Sequence, residues 1–277
     1  MTQSGPKLAS STSRPLRLSL REDLQVQTQS YLGRQYWIVK DPIALKYYRF
    51  EEEEYLLLSW ADGQTSLEQM QRRFESRFAP QKITVSEIQH FVGQMYRTGL
   101  LVSHAWGQGH QLYRRSVESQ RQKRRAAFSN FLSIRFRGVD PDRLLGGLNA
   151  GFGWLFCGPA VVAGILLMLS ALLLLGSQFD IVQHRLPRFQ QFFGSGNWFW
   201  LALTLSLTKV LHELGHGLAC RRLGGRCHEL GVMLLLFMPC LYCNVTDSWM
   251  IPSKWKRAAI GAAGMYVELV LASICTF

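Results

Sequence analysis

Acidic residues are scarce in this sequence, and one long stretch has no charge at all. Asp and Glu number 19 against 31 Lys and Arg, so the formal net charge is +12. Residues 144–178 contain no charged side chain, whereas residues 1–143 are polar and basic. The asymmetry favours attraction to anionic lipid beside membrane helices over nucleic-acid binding, the competing interpretation of a basic chain.

The sequence contains six cysteines and has no apolar segment near its N-terminus. The six Cys lie mostly within or beside apolar segments, which argues against the disulfide framework of a small secreted domain. Residues 1–30 mix Ser, Thr, Gln, Pro and Arg without periodicity and contain no apolar run. They predict a flexible tail without a cleavable signal peptide.

Residues 31–104 predict a small α/β domain, because aromatic and β-branched runs alternate with helix-capping signals. The predicted elements are strands at 36–39, 46–50 and 100–102 and helices opening at Glu51, Thr65 and Thr84, the last ending at Gly99. Helices followed by a β-wing indicate a winged-helix-like arrangement.

Three short motifs in this domain are shared with a known family. They are Tyr36-Trp37-Ile38-Val39, the Trp60-Ala61-Asp62-Gly63 turn with Thr65, and Thr98-Gly99-Leu100-Leu101. With these motifs, the domain resembles the peptide chaperone of the pyrroloquinoline-quinone pathway, also called the precursor-peptide recognition element. The resemblance implies binding of an extended peptide by strand addition. A winged-helix appendage without a ligand is the alternative.

Residues 105–143 predict a basic, amphipathic connector on the membrane surface. Nine Lys and Arg stand against three acidic residues, with Phe and Leu side chains interleaved among them. Such a segment is expected to lie on an anionic leaflet, whereas stacking of its aromatics on single-stranded nucleic acid is disfavoured by the adjoining span. By the positive-inside rule, the connector and the N-terminus are cytoplasmic.

The apolar half predicts an α-helical integral membrane core with at least three spans and a re-entrant hairpin. The spans are expected at 154–176, 198–220 and 258–277. Residues 230–250 are apolar but broken by Pro239 and by polar residues, which is typical of a re-entrant segment that lines a cavity.

The second predicted span carries His212-Glu213-Leu214-Gly215-His216, an HExxH motif. Two His four residues apart project from one helix face, so both imidazoles can bind one metal ion, and Glu213 can take a proton from the attacking water. Lys209 lies one turn before Glu213 and is either its partner or a snorkelling side chain. A pair of hydrogen-bonded core histidines is the alternative.

The pattern continues past the motif. Arg221-Arg222-Leu223-Gly224-Gly225 and an apolar hairpin follow, and then Lys256-Arg257 precede Ala262-Ala263-Gly264-Met265. Over residues 150–277 the chain therefore resembles the bacterial branch of the site-2 protease family of intramembrane zinc metalloproteases, with Met265 in place of the usual Pro. The resemblance implies Zn²⁺, a bacterial inner membrane location and a membrane-spanning or membrane-presented peptide substrate. Relatives with a further membrane-fusion adaptor domain imply an export or adaptor partner.

The third zinc ligand is the gap in this pattern. A catalytic zinc takes three protein ligands and one open position, and the resemblance implies an Asp in an Asp-Gly motif, which does not follow His216. Asp247 is the single Asp after the motif and the weaker candidate. The expectation is a truncated chain that lacks further helices. The alternatives are an inactive two-ligand remnant and a closed His₂Cys₂ site with Cys240 and Cys243.

The sequence thus predicts a membrane metalloprotease-like domain, residues 144–277, joined to the small N-terminal domain. The predicted function is that of a zinc-dependent intramembrane metalloendopeptidase, with His212 and His216 as zinc ligands and Glu213 as the catalytic base. Membrane lipid and a membrane-associated peptide are the expected partners, and nucleic acid is not. The alternative is a non-catalytic membrane component of a peptide-export or membrane-fusion adaptor system, with a structural or vestigial metal site.

Overall fold

The chain divides into two compact units, residues 1–122 and 123–277. The computed structural model describes residues 12–103, 133–136, 138–185, 192–235 and 238–277. These residues form eight α-helices and three small antiparallel sheets.

The first unit is a mixed α/β domain in which the larger sheet comes before the helices. Its strands are β1 (Leu18–Leu20), β2 (Gln25–Tyr31), β3 (Arg34–Asp41), β4 (Lys46–Glu51) and β5 (Leu101–Ser103). Its helices are α1 (Glu52–Ser59), α2 (Leu67–Arg77) and α3 (Val85–Thr98). β2, β3 and β4 form a meander with β3 in the centre, while β5 pairs with β1. The strand after the helices is therefore not a free-standing wing, since its partner comes from the start of the chain.

The predicted flexible tail is wrong where the structure has strands, at Leu18–Leu20 in β1 and from Gln25 onward in β2. β2 reads Gln-Val-Gln-Thr-Gln-Ser-Tyr and buries only Gln29. As an outer strand it is held by backbone pairing with β3, from Gln25 opposite Lys40 to Tyr31 opposite Arg34. Such a strand needs no alternation of apolar residues, and that alternation is the signal by which a strand is recognised in a sequence.

Helix caps were largely readable from the sequence. Thr84 and Glu87 form the predicted capping box of α3, and Gly99 ends that helix with a left-handed φ of 85°. The second box is displaced by one residue, because α2 is capped by Ser66 with Gln69 instead of Thr65 with Glu68. The core is closed by three helix residues and by the residue that precedes β5: Leu58, Met70, Ile88 and Leu100 are almost fully buried.

The described residues of the second unit form three strands and five α-helices. The strands are β6 (Ser133–Arg135), β7 (Leu230–Leu235) and β8 (Met238–Cys243), with β7 in the centre. The helices are α4 (Asp142–Phe152), α5 (Gly158–Ser177), α6 (Phe179–Arg185), α7 (Trp198–Arg222) and α8 (Lys254–Thr276). The connector predicted at 105–143 falls mostly outside the described residues, and its described part includes strand β6 and the start of α4.

The prediction of an α-helical membrane core with at least three spans is wrong. The unit is mixed α/β, and two of its described helices, α5 and α8, are long and apolar enough to cross a membrane. α7 is 25 residues long but contains Lys209 and the charged HELGH motif, so it is not one of them. Strands β7 and β8, within the segment expected to be re-entrant, pair with each other in antiparallel orientation. Short apolar runs do not distinguish a buried strand from a membrane segment by periodicity, and this caused the error.

α7 is the central helix of the second unit, and its two motif glycines face different neighbours. A Cβ at Gly215 would lie 2.9 Å from Val267 Cγ2 and 3.1 Å from the Ala263 carbonyl oxygen, both on α8. A Cβ at Gly217 would lie 2.9 Å from Leu145 of α4 and 3.4 Å from the sulfur of Cys243 in β8. The glycines therefore let α8 pack closely on one side of the motif and α4 and β8 on the other.

Candidate metal centre

His212 and His216 lie on the face of α7 that packs against α8. Their Nε2 atoms are 3.1 Å apart, and the planes of the two rings are inclined at 74°. Gly264 of α8 lies opposite this pair, where a Cβ would come within 2.5 Å of both Nε2 atoms. The absence of a side chain at Gly264 leaves the two ring nitrogens uncovered.

The hydrogen bond of His216 to the backbone indicates which of its two ring nitrogens carries the hydrogen. Its Nδ1 is 2.7 Å from the backbone carbonyl oxygen of Ile260. A carbonyl oxygen accepts but cannot donate, so Nδ1 carries the hydrogen and donates it. The neutral ring then has a lone pair on Nε2, which is the protonation state that a metal ligand requires.

His212 is oriented by a carboxylate. Its Nδ1 lies 3.1 Å from Oε1 of Glu268 on α8, close enough for an ion pair although not aligned as a straight hydrogen bond. A carboxylate oxygen at this distance disfavours a lone pair on Nδ1, because two lone pairs would repel each other. The hydrogen of a neutral His212 is therefore placed on Nδ1, and its Nε2 also presents a lone pair.

The consequence is two Nε2 lone pairs that face one another at 3.1 Å. This arrangement is repulsive by itself and becomes attractive when a cation lies between the two nitrogens. Two imidazoles on a tetrahedral zinc, with Zn–N near 2.05 Å, have nitrogens about 3.3 Å apart. The pair thus fits two adjacent positions of a zinc coordination sphere without any change of tautomer.

The charged residues near the two histidines lie on two different sides of α7. Lys209 Nζ lies 2.8 Å from Glu268 Oε1, which makes Glu268 its partner and answers the question that the sequence left open between Glu213 and snorkelling. Glu213 is half-buried, and its negative charge contributes to the raised pKa of Cys243 in β8. The histidines consequently face α8, while Glu213 lies toward the hairpin.

Asp247 and the cysteines are engaged away from the histidines. Asp247 is 6% exposed, and its Oδ2 accepts from the backbone N–H of Arg226 at 2.8 Å. Cys243 contacts Cys227, with the sulfurs 3.1 Å apart. Among the residues that the structure describes, no group of three His, Cys, Asp or Glu side chains could hold a metal ion. Neither Asp247 nor a Cys240–Cys243 pair is brought to the two histidines.

The thiols of Cys227 and Cys243 differ in acidity. The hydrogen-bond contact with Cys227, burial and the charges of Cys227 and Glu213 raise the pKa of Cys243. The same hydrogen bond lowers the pKa of Cys227 in spite of its burial. Of the two thiols, Cys227 is therefore the first to lose its proton as the pH rises.

Glu268 is the site residue that the sequence analysis missed. It is the single charged side chain between residues 258 and 277, a stretch interpreted only as an apolar span. An ionisable residue in such a run is a functional candidate by default, so the signal was present.

Comparison of the chain with models of protein families, with curated proteins and with solved structures finds no match.

Proposed function

We propose that this chain is a zinc-dependent membrane metalloendopeptidase that cleaves a membrane-associated peptide or protein at its HELGH site. The observation that carries the proposal is the 3.1 Å separation of the two Nε2 atoms, together with an oxygen of α8 beside the Nδ1 of each ring. A mere pair of core histidines would gain from placing a hydrogen between the two nitrogens. The resemblance of residues 150–277 to the site-2 protease family supports the same conclusion.

The HExxH pattern suggests the roles of the three motif residues. His212 and His216 would hold the zinc, which when bound acts as a Lewis acid on the scissile carbonyl. Glu213, adjacent to His212, accepts a proton from the attacking water as the water oxygen bonds to the carbonyl carbon. The same carboxylic acid then gives that proton to the leaving nitrogen as the C–N bond breaks. The rigid helix fixes the base relative to both ligands.

Membrane association is supported by the surfaces of α5 and α8. Only 11% of the apolar window of α5 and 22% of that of α8 is buried within the protein, whereas a core helix of a water-soluble protein is mostly buried. Leu172 and Leu173 of α5 are 66% and 74% exposed. We place the chain in a bacterial inner membrane, with the basic start of α8 and the N-terminus on the cytoplasmic side. The N-terminal domain would present the peptide substrate.

A second candidate is a non-catalytic component of a peptide-export or adaptor system. It is favoured by one observation, namely that no third ligand joins the two histidines within the described residues. In that role the metal would be structural or the site vestigial. Glu213 would then have no proton to transfer.

The two candidates are separated by measuring zinc and cleavage on the full chain purified in detergent. The wild type is expected to hold one zinc per chain, His212→Ala to lose it, and His90→Ala, which changes an exposed histidine of α3, to retain it. Glu213→Gln should keep the zinc but no longer cleave fluorescein-labelled casein. A wild type without zinc overturns the metal site, and zinc with no effect of Glu213→Gln on cleavage or processing favours the non-catalytic component.

A further inference from the structure

We infer that Glu268 is a positioning residue of the proposed zinc site, holding His212 so that its Nε2 points toward His216. The inference rests on the proposed function and adds to it a residue from outside the HExxH motif. It is drawn from three features of Glu268: its place in α8, its two contacts on α7, and the exposure of the side chains that it joins.

A carboxylate at position 268 of α8 costs free energy unless its charge has a partner. α8 is otherwise apolar from residue 258 onward, and a lone carboxylate in such a helix is strongly disfavoured. The cost is reduced by Lys209, whose Nζ lies 2.8 Å from Oε1. A simple ion pair between α7 and α8 would account for these two residues.

The ion pair does not account for the contact with the histidine. The same oxygen, Oε1, lies 3.1 Å from Nδ1 of His212, and Lys209 and His212 are three residues apart on one face of α7. The Lys209 side chain is 57% exposed, while those of Glu268 and His212 are 26% and 18% exposed. The sheltered end of the network is therefore the carboxylate–histidine contact, and Lys209 neutralises its outer end.

This geometry has a direct chemical consequence for the ring. A carboxylate beside Nδ1 keeps the hydrogen on that nitrogen, fixes the ring plane and raises the basicity of Nε2. Outer carboxylates of this kind typically contribute 10- to 100-fold to metal affinity. His216 receives the equivalent support from the Ile260 carbonyl, so that each proposed ligand has its own acceptor on α8.

The test compares Glu268→Ala, Glu268→Gln and Lys209→Met with the wild type, as full chains in detergent. Zinc affinity is measured by titration against a chromophoric chelator. We expect Glu268→Ala to lose roughly 10- to 100-fold in affinity. Glu268→Gln should lose less, because its amide oxygen can occupy the same position beside Nδ1. Lys209→Met should lose little, since the carboxylate remains beside the ring. The Co²⁺-loaded proteins should show an altered visible absorption band for Glu268→Ala and a wild-type band for Lys209→Met.

The outcomes separate the inference from the function on which it rests. Glu268→Ala with wild-type zinc affinity, or equal losses in Glu268→Ala and Lys209→Met, would show that the network is only an ion pair and would overturn the inference while leaving the proposed zinc site intact. A wild type that binds no zinc overturns both. Thermal unfolding of the zinc-free proteins identifies any variant that has lost its fold, and Glu268→Gln then decides the result.

Discussion

At position 264 the candidate site requires a residue without a side chain, and Gly264 meets this requirement. Its missing side chain leaves room for both histidine rings, since a Cβ would lie 2.5 Å from each Nε2. A carbon at that distance has to displace the rings and would crowd both Nε2 atoms. The histidines alone therefore do not define the site, because it also requires a glycine on the neighbouring helix.

We predict that Gly264→Ala abolishes zinc binding without unfolding the chain. Gly261→Ala is the matched control, because Gly261 lies three residues earlier on α8 and a Cβ there meets nothing within 4 Å. Both changes should favour the helix by about 1 kcal/mol, so a difference between them reports on the histidines. Metal content by mass spectrometry of the purified proteins is the measurement. Full zinc occupancy in Gly264→Ala would contradict the arrangement of α7 and α8 described above.

In the first unit, Arg21 and Asp41 predict a dependence of stability on pH. Burial disfavours the charged form of Asp41, but hydrogen bonds from Arg21 and from the N–H groups of Ala44 and Ile43 outweigh it and lower its pKa. A lowered pKa stabilises the fold above the unfolded value, near 3.9, and this contribution is lost as the pH falls through the folded value. The Asp41 side chain is 5% exposed and that of Arg21 16%, so the pair is well shielded from solvent.

Arg21→Ala is therefore expected to destabilise the first unit by roughly 3 kcal/mol at pH 7. It should also flatten the dependence of stability on pH below about pH 5, because Asp41 without its cation no longer has a lowered pKa in the folded state. Urea unfolding at a series of pH values, followed by tryptophan fluorescence, measures both effects. Arg17→Ala, a change at an exposed arginine, is the control. Equal acid sensitivity in the two variants would contradict this account.

At the scale of elements, the sequence identified those whose signals are local. α3 was recognised because Thr84, Glu87 and Gly99 act within one helix, and the two histidines because their spacing lies within one helix. β1 was missed because its partner is β5, with Leu18 opposite Ser103. The contact of Glu268 with His212 depends likewise on how α7 and α8 align. Pairings between distant segments produce no periodic pattern in a sequence, so only the structure reveals them.

The thiols of Cys227 and Cys243 connect the segment after α7 to the end of β8. Their sulfurs are 3.1 Å apart, about 1 Å more than in a disulfide, and Cys243 also lies beside Gly217 of the motif helix. We predict that the two-electron oxidant diamide joins them, each thiol losing one proton and one electron as diamide is reduced. Thiol titration of the denatured protein should then show two of the six thiols lost, and none in Cys243→Ser.

The disulfide should raise the free energy of unfolding by roughly 3 kcal/mol, as expected for a closed loop of this length. Differential scanning calorimetry with and without diamide measures the change. Cys275→Ser, at an exposed cysteine of α8, is the control that should still form the bond. If Cys275→Ser prevents the loss of two thiols and Cys243→Ser does not, the bond forms elsewhere and the described contact is contradicted.

For the whole molecule, the two units predict different behaviour toward a membrane. The first unit closes its own core, with Met70, Ile88 and Leu100 fully buried, whereas the second exposes the apolar surfaces of α5 and α8. We expect the full chain to remain in the membrane pellet after carbonate extraction, because transfer of that much apolar surface to water is unfavourable.

A polypeptide of residues 1–122 should instead be soluble in buffer without detergent and unfold in one cooperative transition, since the described residues of its core all lie within that range. Immunoblots of the two fractions and circular dichroism melting of the short polypeptide are the measurements. Leu58→Ala in the short polypeptide is expected to lower its stability by about 3 kcal/mol, because Leu58 is 1% exposed. Release of the full chain by carbonate would contradict the membrane role of α5 and α8. Aggregation of residues 1–122 would contradict the independence of the first unit.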